Sequence, residues 1–254
     1  MVDVAQVGLE SINFTLVDVV EGHDEAFNAW YENDHFYAGG VLGPSVLGGR
    51  RWYCPKSMRD VRFAGSPCPF EDPTTGTNLA TYFFTLPDGG REFRDWVAPQ
   101  LAELRRQGRM FAERVPVSIA FYTFDRVVGS SSRVPPHVAL EHPFASLFAV
   151  FARRLSPGGR GAPLGSAAPV PAGSLVLSTT WRQEPSLVEQ ADLRPYAPIT
   201  LLLTFLEGEP PRTRTDTEDL AHTVTAAAAD VEPMWASAFL PAVPGRTDWV
   251  RTIR

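Results

Sequence analysis

The stretch FNAWYENDHFYAGGVLGP at 27–44 decides how the chain is read. From Phe27, the residues Trp30, Tyr31, Asp34 and Ala38 follow at spacings of three, four, seven and eleven, which is one face of a helix. Asp24 stands where an N-cap belongs, its carboxylate placed to accept from the free amides of the first turn. Gly39, Gly40, Gly43 and Pro44 end the helix. SINFTLVDVV at 11–20 precedes it and is rich in β-branched and apolar residues, the composition of a strand. Val46–Tyr53 follows as a second strand.

Working outward, residues 54–78 carry many Pro, Gly and polar residues without periodicity and are expected to form a long loop. Loops of this length in compact domains are uncommon and often functional, for instance as lids. Leu79–Leu86 predicts a third strand. Phe93, Trp96, Val97, Gln100, Leu101 and Leu104 predict a second amphipathic helix, kinked at Pro99. Val115–Phe124 predicts a fourth strand. The order β-α-β-β-α-β is that of the ferredoxin-like split βαβ unit.

The order partly recurs. Strands are expected at Phe144–Arg153, Ser174–Arg182 and Ile199–Leu206, then one helix from Thr217 to Leu240 and a short closing strand at Thr247–Ile253. Two ungapped local matches support a duplication. FFTLPDG at 83–89 matches LLTFLEG at 202–208, and Val46, Leu47 and Pro55 recur as Val176, Leu177 and Pro185. The second copy carries SPGGRGAPLGSAAPVPAG at 156–173 where its first helix belongs, a tract too rich in Pro and Gly for a regular helix. The expected architecture is therefore α+β, with a ferredoxin-like half at 1–128, a linker at 129–143 and a second half at 144–254 that lacks its first helix.

The residues Phe27, Trp30, Tyr31 and His35, followed by the Gly/Pro turn, resemble the first helix of the dimeric α+β barrel superfamily, the EthD-like members most of all. The resemblance covers residues 11–125, and the second half by element order. It implies two ferredoxin-like sheets packed face to face into a barrel, here from one chain. The superfamily holds aromatic-polyketide cyclases, cofactor-free quinone-forming monooxygenases, haem-handling proteins and lactone isomerases. Asp34 supplies the expected acidic neighbour of the histidine, but the usual proline shortly after it is absent.

Composition narrows the classes. A net charge of −6, with Lys56 the sole lysine, argues against nucleic-acid binding, which needs clustered cations. No apolar run is long enough for a transmembrane helix. No secretory signal is visible, and Cys54 and Cys68 are expected to be unlinked thiols, so a cytoplasmic location is expected. No histidine pair has metal-ligand spacing.

Tyr31 and His35 are one helical turn apart, with Asp34 beside them. An imidazole among apolar rings and a carboxylate is a candidate general base whose pKa can be tuned toward the working pH, with Tyr31 a candidate donor to a developing enolate. His35, Tyr31 and Asp34 are thus the candidate catalytic residues. Trp30 lies on the same face. Strand alternation offers Asn13, Arg51, Tyr53, Tyr82, Phe84 and Tyr122 for substrate binding, with Arg51 able to clamp a carboxylate or phenolate. The expected function is cofactor-independent acid/base chemistry on an aromatic or polyketide-like small molecule. The alternatives are a non-catalytic small-molecule-binding or assembly protein and a haem-binding protein with a histidine axial ligand. No cofactor or metal is expected, haem being the alternative. The partner is a small molecule, and the chain is a monomeric pseudo-dimer or a homodimer.

Overall fold

The computed structural model describes residues 8–86, 89–155, 169–181 and 199–254. Among the described residues the nine strands are β1 (Ser11–Val19), β2 (Val46–Tyr53), β3 (Phe63–Ala64), β4 (Asn78–Phe84), β5 (Arg114–Ser130), β6 (Ser146–Arg154), β7 (Ser174–Trp181), β8 (Ile199–Leu206) and β9 (Val231–Pro241). The helices are α1 (Asp24–Trp30), α2 (Lys56–Arg59), α3 (Gly89–Arg106) and α4 (Arg214–Ala228). All nine strands form one antiparallel sheet in the order β2-β4-β1-β5-β7-β8-β6-β9-β3, and β2 also pairs with β9 through Trp52–Pro241 and Tyr53–Leu240. The pairing therefore returns to its starting strand through a two-residue seam. The fold is mixed α+β with a large antiparallel sheet.

Alternation along the strands separates two faces. Ile12, Phe14 and Leu16 of β1 point inward with Phe83, Phe151, Leu203, Phe205 and Trp235. Val17 and Val19 point outward with Ala80, Tyr82, Phe84 and Phe121, and are covered by Phe27 and Tyr31 from the first helical segment and by Phe93 and Val97 from α3. A third cluster places Ala221, Val224 and Ala228 of α4 on Phe148, Val150 and Leu202.

Several expectations are corrected. The single helix over 217–240 is two elements. Thr213 caps α4, its hydroxyl accepting from the Asp216 amide at 3.1 Å. Ala229 and Asp230 then take positive φ, at 59° and 54°, and the chain leaves as β9. The misreading has a cause: Val231, Trp235 and Phe239 recur every four residues, a spacing that suits a helix face and one side of a strand equally. Residues 247–253 form no strand; Val250–Thr252 is a single 3₁₀ turn and Trp249 stacks on Tyr53 at 4.3 Å. The 54–78 segment is not a featureless loop. It holds α2 and β3, and buried Arg62 ties it down by donating to Gly76 O at 2.5 Å and Ser237 Oγ at 2.8 Å. The fourth strand runs on to Ser130, into the expected linker, paired with β7. Residues 156–168 of the Pro/Gly tract lie outside the described residues, and with them the expected loss of a helix there. Cys54 and Cys68 are free thiols. No helix among the described residues is long and apolar enough to cross a membrane.

Candidate functional site

After Trp30 the first helix widens into two π-helical turns, Tyr31–His35 and Tyr37–Val41. Glycine allows this and the helix packing beneath it: a Cβ on Gly40 would lie 2.4 Å from the Tyr82 ring, and one on Gly39 would lie 2.6 Å from His35 Cε1. Single π turns of this kind often sit at functional sites. Here they lay Tyr31 and His35 against the outer face of β1, β4 and β5.

His35 is 7% exposed. Its ring stacks on Trp30 at 4.3 Å and 18°, meets Tyr31 edge-on at 5.3 Å, and is closely approached by Gly39. Its Nδ1 is buried without a hydrogen-bond partner among the described residues. Burial, helped by the Arg114 charge, pushes its pKa down to about 3, against a small opposing pull from Asp34. The imidazole is neutral at ordinary pH. The Tyr31 and Tyr82 hydroxyls are 3.4 Å apart, and burial raises both phenols above their usual range.

These groups border a cavity of about 70 Å³. Tyr31, His35 and Gly39 form one wall, Asn13, Thr15, Tyr82, Ile119 and Phe121 the sheet wall, and Phe93, Val97 and Leu101 the α3 wall, with Arg114 at one side. Asn13 donates to Ala120 O at 3.3 Å and accepts from Thr15 Oγ1 at 2.7 Å, which fixes its amide.

The structure brings Tyr31, His35, Asn13 and Tyr82 together. It does not bring the others. Asp34 turns outward to pair with Arg109, which holds its carboxyl below the usual range. Trp30 backs the histidine rather than lining the space. Phe84 lies deeper, against Phe93 and Phe121. Tyr53 stacks on Trp249 at the seam of the sheet. Tyr122 stands opposite Ile12, inside the closed sheet, not on the cavity face. Arg51 packs behind Tyr31, 4.7 Å above its ring, and faces a separate cavity. Among the described residues no cluster of acids, histidines or cysteines could hold a metal ion.

Arg114 went unseen for a definite reason. Along β5, Phe121 and Ile119 face the cavity, so alternation alone would send Arg114 to the interior. A bulge intervenes: Leu16 pairs with Ser118 but Val17 with Pro116, so the parity flips and Arg114 points outward.

Fold and site together define a ferredoxin-like α+β protein with a buried histidine beneath its first helix. The sequence matches no protein-family model and no curated protein. Its structure is similar to those of two haem-complexed variants of Rhodococcus jostii RHA1 DypB. One has a TM-score of 0.52 and 9% identity, covering 99% of this chain and 98% of that one. The other has a TM-score of 0.52 and 8% identity, covering 92% and 94%. It is also similar to a protein described as a chlorite dismutase, with a TM-score of 0.50 and 10% identity, covering 94% and 96%. At such identities the likeness is one of fold. It does not show the EthD-like family that the first helix suggested. The expectation that no cofactor is involved is overturned, since two of these neighbours were solved with haem.

Proposed function

We propose that this chain is a small-molecule-binding protein made of two tandem ferredoxin-like halves, 1–128 and 144–254, which takes its ligand between the first helix and the outer face of β1, β4 and β5. The same strand order in the two blocks supports the tandem reading: β5-β1-β4-β2 and β9-β6-β8-β7 both run fourth, first, third, second. The binding reading is carried by one observation, the neutral, nine-tenths-hidden imidazole of His35 with an unpartnered nitrogen beside a cavity. A buried polar atom without a partner costs roughly 1–3 kcal/mol, which a ligand hydrogen bond would recover. The lining suits a compact apolar molecule with a hydroxyl or carbonyl for His35, Tyr31 or Tyr82. A base whose conjugate acid sits near 3 is poorly matched to proton abstraction at neutral pH, and this moves the reading from catalysis toward binding.

Haem is the second reading, favoured by the haem-complexed neighbours and by the chemistry of a neutral buried histidine, an ordinary axial ligand. The nitrogen fits and the space does not. Trp30 stacks on the ring, Gly39 is packed close against it, and a cavity of about 70 Å³ holds a few waters at most rather than a macrocycle.

A thermal-shift screen of small phenols and aromatic ketones, run beside a haemin titration, tests both. A ligand at a hundred times its Kd should add about 2.7 kcal/mol of stability to the native chain, and His35→Ala should lose that gain. Equal stabilisation of the variant, or no hit, would remove the binding reading. A Soret shift present in the native chain and absent in His35→Ala would establish haem in its place.

A further inference from the structure

We propose that the chain carries a second ligand site, on the far side of the Tyr31–Arg51 stack, built for an organic monocarboxylate with an aromatic or aliphatic body. The cavity there is about 280 Å³, four times the first, and near the lower limit for small-molecule sites. It lies between the π-helical turn, β2 and the segment 241–244.

Its polar end is one guanidinium. Arg51 is 7% exposed and rests on the Tyr31 ring at 4.7 Å. Its Nη1 stands 3.5 Å from Glu32 Oε1, without hydrogen-bond geometry, and both atoms are buried with no hydrogen-bond partner among the described residues. Glu32 is held from its other side, where Oε2 accepts from the Gly245 amide at 3.3 Å. The neighbouring Arg50 is engaged, donating through Nη1 to Leu140 O at 3.2 Å and His142 O at 2.5 Å while stacked over Trp52. Two guanidiniums against one carboxylate leave the lining with one positive charge in excess.

A buried guanidinium with an unmet donor is costly, and the planar group that matches its fork is a carboxylate. The remaining walls, Phe36, Tyr37, Leu140, Pro241 and Val243, are apolar or aromatic and suit the body of such an acid. Tyr37 and Val243, at 50% and 46% exposure, stand at the mouth and leave it open to solvent.

Calorimetric titration of the full chain with benzoate, phenylacetate and hexanoate tests the site, with benzamide as the neutral isostere of benzoate. The expected result is saturable binding of at least one acid, with benzamide weaker by about tenfold or more. Arg51→Met keeps the apolar stem and removes the fork, so it should abolish that binding. Val243→Trp fills the space from the exposed rim with Arg51 in place and should do the same, which covers the case in which Arg51→Met fails to fold. His35→Ala should leave acid binding unchanged. The proposal is overturned if none of the three acids saturates the native chain, if benzamide binds as well as benzoate, or if Val243→Trp binds like the native chain. Loss of acid binding in His35→Ala with retention in Val243→Trp would place the carboxylate in the first cavity and overturn it equally.

Discussion

At the scale of single residues, His35 sets a pH dependence that can be worked out in sign. Its folded pKa of about 3 lies below the ordinary 6.5, so between those values the unfolded chain binds the proton and the folded chain does not. Stability is therefore intact above about pH 6.5 and falls as the pH drops, by up to about 1.4 kcal/mol per unit for this one group, levelling off near 3. Carboxylates titrate in the same range, so the comparison must be with His35→Gln, which keeps the volume and loses the titration. Urea midpoints of the native chain should fall more steeply than those of the variant between pH 6.5 and 4. Parallel curves would show that the ring charges in place. Much of this residue cluster was legible beforehand: Tyr31 and His35 share a face at any helical pitch near four residues per turn. The outward pairing of Asp34 was not legible, because its partner Arg109 lies 75 positions away and no local pattern announces it.

At the scale of elements, the π-helical turn fits backbone closely against side chains. Gly40 and Gly49 both abut Tyr82, whereas a Cβ on Gly48 would meet nothing within 4 Å. Gly40→Ala should thus cost about 1–3 kcal/mol through overpacking, while Gly48→Ala, on the open side of β2, should be neutral or slightly stabilising. Chemical denaturation of the two single variants decides the matter, and equal effects would show that the turn yields rather than clashes. Strands such as β1, β4 and β8 could be read from sequence because they are short runs rich in β-branched, aromatic and apolar residues. β9 could not, since its apolar residues recur at four. Nor could the facing of Arg114, because a bulge reverses parity without leaving a mark in composition. The short α2 and β3 lie in a segment that Arg62 ties down through distant carbonyl partners and that β9 pairs with, tertiary contacts that a local reading cannot reach.

At the scale of the whole molecule, the closure of the sheet makes the two blocks of strands interdependent. The inward cluster mixes Ile12, Phe14, Trp52, Phe83 and Tyr122 from the first block with Phe151, Leu177, Leu203, Phe205 and Trp235 from the second. Neither set has another surface on which to bury itself. Beyond the seam between β2 and β9, Trp249 covers Tyr53, and Arg254 donates twice to Asp24 at 2.8 Å, fastening the last residues to the start of α1. The proposed boundary at residues 129–143 should therefore divide sequence but not stability. Fragments 1–128 and 144–254, made separately, should lack dispersed amide resonances, and the full chain should unfold in urea in one transition, coincident by fluorescence and circular dichroism. Mixing the fragments should restore dispersion, because the interface they share is the interior itself. A fragment that folds alone with a sharp transition would mean that its outward cluster under α1 and α3, or under α4, suffices to hold four strands without the opposing sheet.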